Sequence, residues 1–454
     1  MASNTDFYNS NEQKNDQSTG MSTYHNLDLE KRIAEKGNEA TLNLNNRNLT
    51  DEDMIIISYA LQHQTIDTDV LVVESAQIQQ DEWSCAKCTL TNESTDRICE
   101  VCGASRLYGV PESRFNQEDE WACENCTLFN KSSNPVCELC SASRPHPLQK
   151  QTLTNQQKLY YFTDQKLAFT TLNLYCNSIS CRGAKHLADG LNHNKVLKTL
   201  SLYKNNIGDD GAGYIAQALR HNNTLTTLIF GKEHVQGNSI GELGAQHLAD
   251  ALRYNQTLTA IDLHLNQIGS NGAQYLAHAL QNNHTLTSLS LAENQIEDDG
   301  AIHLGNALKN NNKLMALSLY HNNIGPDGAQ ALADGITNNE MLATLNLNNN
   351  KISARGVQYF ARALEINKTL KSLLLDGNSI GDDGCNHLAL VLRSNKTLTT
   401  LQVSYNNISN RGGQSLYNAM KNNNTLNEII IYGNSMDGDI ESNIGDLCTS
   451  EQTE

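Results

Sequence analysis

The chain has 454 residues, 39% of them hydrophobic and only 6% aromatic, with 50 acidic against 33 basic side chains for a formal charge of -17. That balance repels phosphate backbones and anionic membrane surfaces, which sets nucleic acid aside as the main partner. No apolar run approaches the roughly 20 residues of a membrane span, and Met1 to Gln17 lacks the basic then apolar pattern of a signal peptide. The expectation is a soluble cytoplasmic chain, with the nucleus also open to it.

Residues 1–26 are low-complexity polar sequence and read as a disordered N-terminal segment. Residues 27–80 read as a degenerate repeat-like segment. Leu42-Asn-Leu44 followed by Asn48-Leu49, and later Leu71-Val-Val73 with Ile78, look like two repeat strands, with Met54 to Leu61 as the helix between them. On that reading the next modules are inserted after Ile78, and Leu159 to Phe162 begins the resumed helix.

Residues 81–106 and 119–145 read as two small modules, within which 83–106 and 121–144 match each other with a shift of 38. Trp83-Ser-Cys85-Ala-Lys-Cys88-Thr-Leu-Thr-Asn92 answers Trp121-Ala-Cys123-Glu-Asn-Cys126-Thr-Leu-Phe-Asn130, and Cys99-Glu-Val-Cys102 answers Cys137-Glu-Leu-Cys140. Eight of the twelve cysteines thus fall in Cys-x-x-Cys pairs, while Cys176, Cys181, Cys385 and Cys448 stand singly. Four thiolates at Cys-x2-Cys-x10-Cys-x2-Cys spacing suit tetrahedral Zn2+, and each module has too little apolar material to fold without it. Two ions are expected, on Cys85, Cys88, Cys99 and Cys102 and on Cys123, Cys126, Cys137 and Cys140. Four sulfur ligands leave no position for water or substrate, so both are structural and the chain is read as a binding protein, not an enzyme. Residues 107–118, with Gly109 and Pro111, form a flexible linker.

From about residue 170 the chain repeats Leu-x-Leu-x-x-Asn-x-Ile-x-x-x-Gly-Ala-x-x-Leu-Ala-x-Ala-Leu and a polar turn. The Asn column (Asn177, Asn205, Asn238, Asn266, Asn294, Asn322, Asn350, Asn378, Asn406 and Asn434) is spaced by 28 residues except for one interval of 33, whose extra residues lie within Gly231 to Gly237. Alternation at Leu200 and Leu202 predicts a strand, and apolar residues four apart, as at Ile215 and Leu219, predict a helix. One unit cannot bury both faces alone, but stacking in register makes a continuous core. A buried Asn at each turn can satisfy backbone groups orphaned at the strand end. The fold class is therefore α/β: a solenoid of 28-residue β-α units with a curved parallel sheet over 151–440, about ten repeats, carrying two small zinc-ribbon-like fingers, and ending in an acidic tail at 441–454.

Two resemblances follow from these motifs. The repeat resembles the ribonuclease-inhibitor class of leucine-rich repeats, also found in NOD-like receptors, over roughly residues 169 to 436. No Gly-x-x-x-x-Gly-Lys nucleotide loop accompanies it. Trp-x-Cys-x2-Cys-x3-Asn-x6-Cys-x2-Cys resembles the zinc fingers named after the Ran-binding nuclear pore protein. RNA-binding members carry an aromatic after the Asn and arginines in the next loop. Here those loops are Glu93-Ser-Thr-Asp-Arg97 and Lys131-Ser-Ser-Asn-Pro135, and Asp81 to Lys150 holds 11 acids against 7 bases. The ubiquitin-binding subgroup uses Thr and an apolar residue after the second Cys, plus an apolar residue between the third and fourth. The resemblance thus implies ubiquitin contacts at Thr89, Leu90 and Val101 and at Thr127, Leu128 and Leu139, with Leu standing twice where the subgroup usually has Phe. The finger ligand is ubiquitin or polyubiquitin, another protein, or single-stranded RNA.

On the solenoid, the concave strand face is where residues flanking the buried Leu can vary. Two residues before the Asn stand Tyr175, Tyr203, His264, Tyr320 and Tyr432, and tyrosine at an exposed position suits a protein partner or a regulated enzyme. Tyr also simply suits strands. His186, His247, His303 and His387 share one helical position but not consecutive repeats, so they are read as solvent-facing and not as metal ligands. The Asp-Asp-Gly turns at Asp209, Asp298 and Asp382 precede helices and are read as helix caps, not calcium loops.

Overall fold

The computed structural model describes residues 26–36, 39–62, 169–232 and 237–449, together with the backbone of four short strands at 83–84, 91–92, 120–122 and 129–131. The chain divides into two compact units: Met1–Asn26 with Ser75–Thr154, and Leu27–Glu74 with Asn155–Glu454.

The second unit is an α/β solenoid. Among the described residues its sheet has eleven strands, neighbours in sequence order and parallel throughout the registered pairs. Each strand is three residues long and, except in the last, Glu428–Ile430, buries its middle residue, as Leu289 in Ser288–Ser290. The leucine two residues further on (Leu202, Leu291, Leu319) and the isoleucine of the turn (Ile207, Ile296, Ile324) are also buried. Each helix then contributes one stripe, such as Gly272, Ala273, Leu276, Ala277, Ala279 and Leu280 of Gly269–Leu280. Small residues there are a steric need. A Cβ on Gly272 would lie 2.7 Å from Ile268 Cγ2 and 3.0 Å from Ala245 Cβ of the preceding helix.

The strand Thr41–Asn43 pairs directly with Thr171–Asn173, Leu42 opposite Leu172. With the helix Asp53–Gln62 it forms a first repeat, preceded by the helix Leu27–Lys36, whose Leu29 and Ile33 are buried. Chain 63–168 therefore departs after one repeat's helix and returns at the next repeat's strand. Leu71–Val73, Ile78 and Leu159–Phe162 lie outside the described residues, and the place beside Thr41–Asn43 belongs to Thr171–Asn173. At the other end, 441–449 is not simply a tail. It belongs to the helix Gly438–Thr449, because Ile440, Ile444 and Leu447 recur on one face and pack on the core.

Two asparagine ladders hold the repeats in register. Asn322 Oδ1 accepts the N–H groups of Asn294 (2.9 Å) and Ile296 (3.2 Å), while its Nδ2 donates to the carbonyls of Leu291 (2.8 Å) and Tyr320 (3.1 Å). Each Asn thus satisfies backbone of the preceding repeat as well as its own. Among the described residues no repeat strand precedes the first repeat, and Arg47 takes its Asn position. Asn177 nonetheless reaches back to it, accepting from Arg47 and Leu49 N–H at 3.1 Å each. The second ladder runs through the turns after the helices: Asn222 Nδ2 donates to the Leu191 carbonyl (2.8 Å) and its Oδ1 accepts from Thr224 (3.0 Å) and Leu225 (2.8 Å). Asn194 plays this part toward Leu61, a second tie across the departure of the chain.

The aspartates of the helix starts act one repeat later than expected. Asp209 accepts the N–H groups of Gly241 (2.6 Å) and Gly244 (3.0 Å), Asp298 those of Gly325 (2.7 Å) and Gly328 (2.8 Å), and Asp382 those of Ser409 (2.8 Å) and Gly412 (3.1 Å). Asp51 does the same for Ser180, bonding its N–H and its hydroxyl. These four recipients are extended at the helix entry. Where the preceding repeat offers Cys181, Glu242, Ser270, Pro326 or Ala354 instead, the helix opens on a left-handed residue: Gly208, Gly269, Glu297, Ser353 or Gly381. The N–H of that residue turns to the next repeat's Asn carbonyl, as Glu297 to Asn322 at 2.9 Å. An aspartate therefore selects the entry geometry of the following helix.

Asn322→Ala leaves several buried backbone groups unsatisfied and is expected to destabilise the solenoid by about 2–4 kcal/mol in urea unfolding, more than the same change at the partly exposed terminal Asn434. Asp382→Ala is expected to lose about 1 kcal/mol. Burial alone would raise the Asp382 pKa. The Ser409 hydroxyl, the Ser409 and Gly412 N–H groups and Arg411 outweigh it and hold the carboxyl below its usual value. Its stabilisation is thus fully present above the unfolded carboxyl pKa and lost as pH falls through the lower folded value, so the variant should be less sensitive to acid than the parent in pH-dependent thermal melts.

Candidate interaction surfaces

In the first unit, Trp83–Ser84 pairs antiparallel with Thr91–Asn92, and Glu120–Ala122 with Phe129–Lys131. Trp83 stands opposite Asn92 and Trp121 opposite Asn130, so the two modules share one register. In each, the first Cys-x-x-Cys (Cys85 and Cys88, Cys123 and Cys126) falls in the connection between paired strands, as a zinc knuckle requires. The eight cysteines, and Thr89, Leu90, Val101, Thr127, Leu128 and Leu139, lie outside the described residues. As a donor set, four thiolates per module fit zinc, which would cross-link each finger.

On the strand face of the solenoid the aromatic positions form three groups. Tyr175 and Tyr203 stack with centroids 4.4 Å apart, and Lys232 Nζ lies 5.5 Å from the Tyr203 ring centre. Tyr203 is only 8% exposed, and burial, then the adjacent Tyr175, pushes its phenol up to about 12. His264 is likewise 6% exposed, with Nε2 3.1 Å from Glu293 Oε1 and its N–H donated to Asp262 (2.9 Å). Burial raises the Asp262 pKa against the lowering effect of the His264 N–H and the Ser290 hydroxyl. Tyr320 lies 6.2 Å from the His264 ring and 6.0 Å from His321. Tyr432 meets Tyr405 edge to face at 5.3 Å. Of the five residues singled out from sequence, Tyr203 and His264 are thus mostly covered, Tyr175 and Tyr320 half-buried, and Tyr432 exposed.

Sequence reasoning followed the position two before the Asn and missed the one next to it, which also faces outward. Counted four residues beyond the buried strand leucine, that position supplies Lys204, Lys232, Glu293, His321 and Tyr405, and the strand register would have found it. On the helical face, His186, His247, His303 and His387 alternate with Tyr214, Tyr275 and Tyr359 in intervening repeats; His247 is exposed and the other three histidines are half-buried. Burial lowers the His186 pKa, with Asp189 opposing it. Among the described residues no group of three or more His, Cys, Asp or Glu could hold a metal ion, and no helix is long and apolar enough to cross a membrane.

The family model described as Zn-finger in Ran binding protein and others matches residues 80–107 and 117–146. The model described as Leucine Rich repeat matches seven stretches: 193–216, 254–277, 282–305, 310–333, 338–361, 367–389 and 394–416. No curated protein matches the chain. Among solved structures, it is similar to leiomodin-1 actin-binding site 2 (19% identity, TM-score 0.30, 33% of this chain and 87% of that one). It is also similar to an internalin from Listeria monocytogenes (19%, 0.37, 63% and 80%) and to the TLR13-ssRNA13 complex (19%, 0.36, 62% and 38%). Likeness of this degree carries nothing about partner or activity. The chain combines two zinc fingers of the Ran-binding-protein type with a leucine-rich-repeat solenoid, both of them modules of protein interaction.

Proposed function

We propose that this chain is a non-enzymatic adaptor of the cytoplasm and nucleus, whose two zinc fingers bind ubiquitin while the strand face of its solenoid holds a second protein. The observation that carries the reading is the duplication of the finger. Two family matches share one hairpin register, and each has Thr-Leu directly after its second Cys. An apolar residue beside a hydroxyl covers a small hydrophobic patch and makes one hydrogen bond. One finger offers little area, so each binds weakly. Two on one chain, joined by a stretch with an end-to-end distance of about 20 to 25 Å, bind neighbouring units of a ubiquitin chain with avidity. The acidic balance of the finger region works against RNA.

Titration of zinc-loaded protein with mono-ubiquitin and di-ubiquitin, followed by fluorescence of Trp83 and Trp121, its only tryptophans, is expected to show weak binding of the first and tighter binding of the second. Leu90→Ala with Leu128→Ala should abolish both. No response at millimolar ubiquitin with zinc retained would sink the reading, and binding of short single-stranded RNA instead would reassign the fingers. Chelating the zinc should remove ubiquitin binding and leave the main thermal transition of the solenoid in place, because the fingers and the solenoid are separate compact units.

A further inference from the structure

The two tyrosine pairs of the strand face are in different states. Tyr175 and Tyr203 lie ring on ring, Tyr203 is covered, and the chain's own Lys232 sits over it. Tyr405 and Tyr432 are nearly perpendicular, at 89°, and remain 60% and 49% exposed. Gly433, with φ of 68°, makes room for them, since a Cβ there would fall 2.3 Å from the Tyr405 ring. Among the described residues no Lys or Arg lies over either ring.

One carboxylate adjoins this open pair, Asp376 through the neighbouring Ser404, and a second, Glu428, stands at the start of the strand that leads to Tyr432. Exposed Glu428 accepts from the Thr400 hydroxyl (3.2 Å). In the repeat before Tyr405, Asp376 accepts the Ser404 N–H (2.6 Å) and the Asn348 side-chain amide (3.2 Å), and Gln402 also accepts from that amide (3.2 Å). Neither Glu428 nor Asp376 has a Lys or Arg partner among the described residues. Burial raises the Asp376 pKa despite its bonds to Ser404, so its charge has lost water that no cation replaces. From Ala260 onward the outward strand-face positions carry Asp262, Glu293, Asp376 and Glu428 but no Lys or Arg. Aromatic faces and carboxylates together attract a cationic side chain, and the formal charge of -17 steers a basic partner inward. The same charge disfavours a second copy of this chain as occupant.

We propose that Tyr405, Tyr432 and Asp376 form a docking site for a lysine or arginine side chain on a basic segment of the partner protein, with Glu428, at the start of the strand that leads to Tyr432, meeting a second basic residue of that segment. The proposal rests on the reading of the strand face as the partner surface and commits that surface to one chemistry at one end. Lys232 does internally at the Tyr203 ring what the partner's cation does here.

The test is fluorescence anisotropy of the full zinc-loaded chain with labelled peptides: one rich in arginine and lysine, one with norleucine and citrulline in their place, and one with glutamate. The basic peptide should bind, its two counterparts should not, and Tyr405→Ala with Tyr432→Ala should weaken binding roughly tenfold. Should that double variant melt early, Glu428→Gln decides, since an exposed carboxylate is removed with little change in shape, and a loss of about threefold is expected. Equal binding by parent and variants would reduce the effect to net charge and overturn the site, as would binding of the neutral or acidic peptide or no binding at all. Intact ubiquitin titration beside such a failure would leave the fingers' role standing; the opposite pattern would leave this site without the adaptor.

Discussion

What the rest of the solenoid depends on is the buried asparagine that ends each strand. A three-residue strand leaves its turn full of backbone N–H and carbonyl groups, and those turns are buried between neighbours where water cannot serve them. Asn322 answers this with two acceptor and two donor contacts, part of them in the repeat before it. No repeat is satisfied by itself, so stability lies between repeats, and the amide reaches the previous turn across the 33-residue interval as it does across those of 28. Arg47 fits the same rule from the other side: its repeat carries the edge strand of the described sheet, where no preceding turn among the described residues calls for the amide.

That constraint also explains how the chain can leave the solenoid and come back. The contacts that join the first repeat to the second are all of the kind found elsewhere: strand pairing of Leu42 with Leu172, Asn177 on Arg47 and Leu49, Asn194 on Leu61, Asp51 on Ser180. None needs the two repeats to be adjacent in sequence. The entropy of closing a long excursion grows only slowly with its length, so a repeat boundary accommodates two whole fingers where a strand or helix interior would not.

Sequence gave away whatever a single repeat specifies internally. The Leu alternation, the helical stripe and the Asn column recur at fixed offsets, and the duplicated cysteine spacing picks out the two modules that the zinc-finger family model matches. What escaped depends on a residue in a neighbouring repeat. Asp298 looks like a cap for its own helix, yet its oxygens serve Gly325 and Gly328. Glu297 and Ser353 open helices with positive φ, which their side chains do not announce, because the preceding repeats lack the aspartate that would hold an extended entry. The covering of Tyr203 comes from Tyr175 and Lys232 in flanking repeats, and that of His264 from packing with Glu293 and the backbone around Gly231.

The same division bears on function. Frame positions are tied to both neighbours and cannot change alone, whereas the positions beside them on the strand face carry little of the structural load. Variation there can create a stacked, self-satisfied pair at one end and an open pair beside a carboxylate at the other without disturbing the asparagine ladders that hold both. The fingers follow a different logic, since four thiolates per module suit a zinc ion that would carry their stability. Because one module would draw its stability from metal and the other draws it from its own neighbours, each can present a surface without borrowing stability from the other, as a chain of two kinds of interaction module requires.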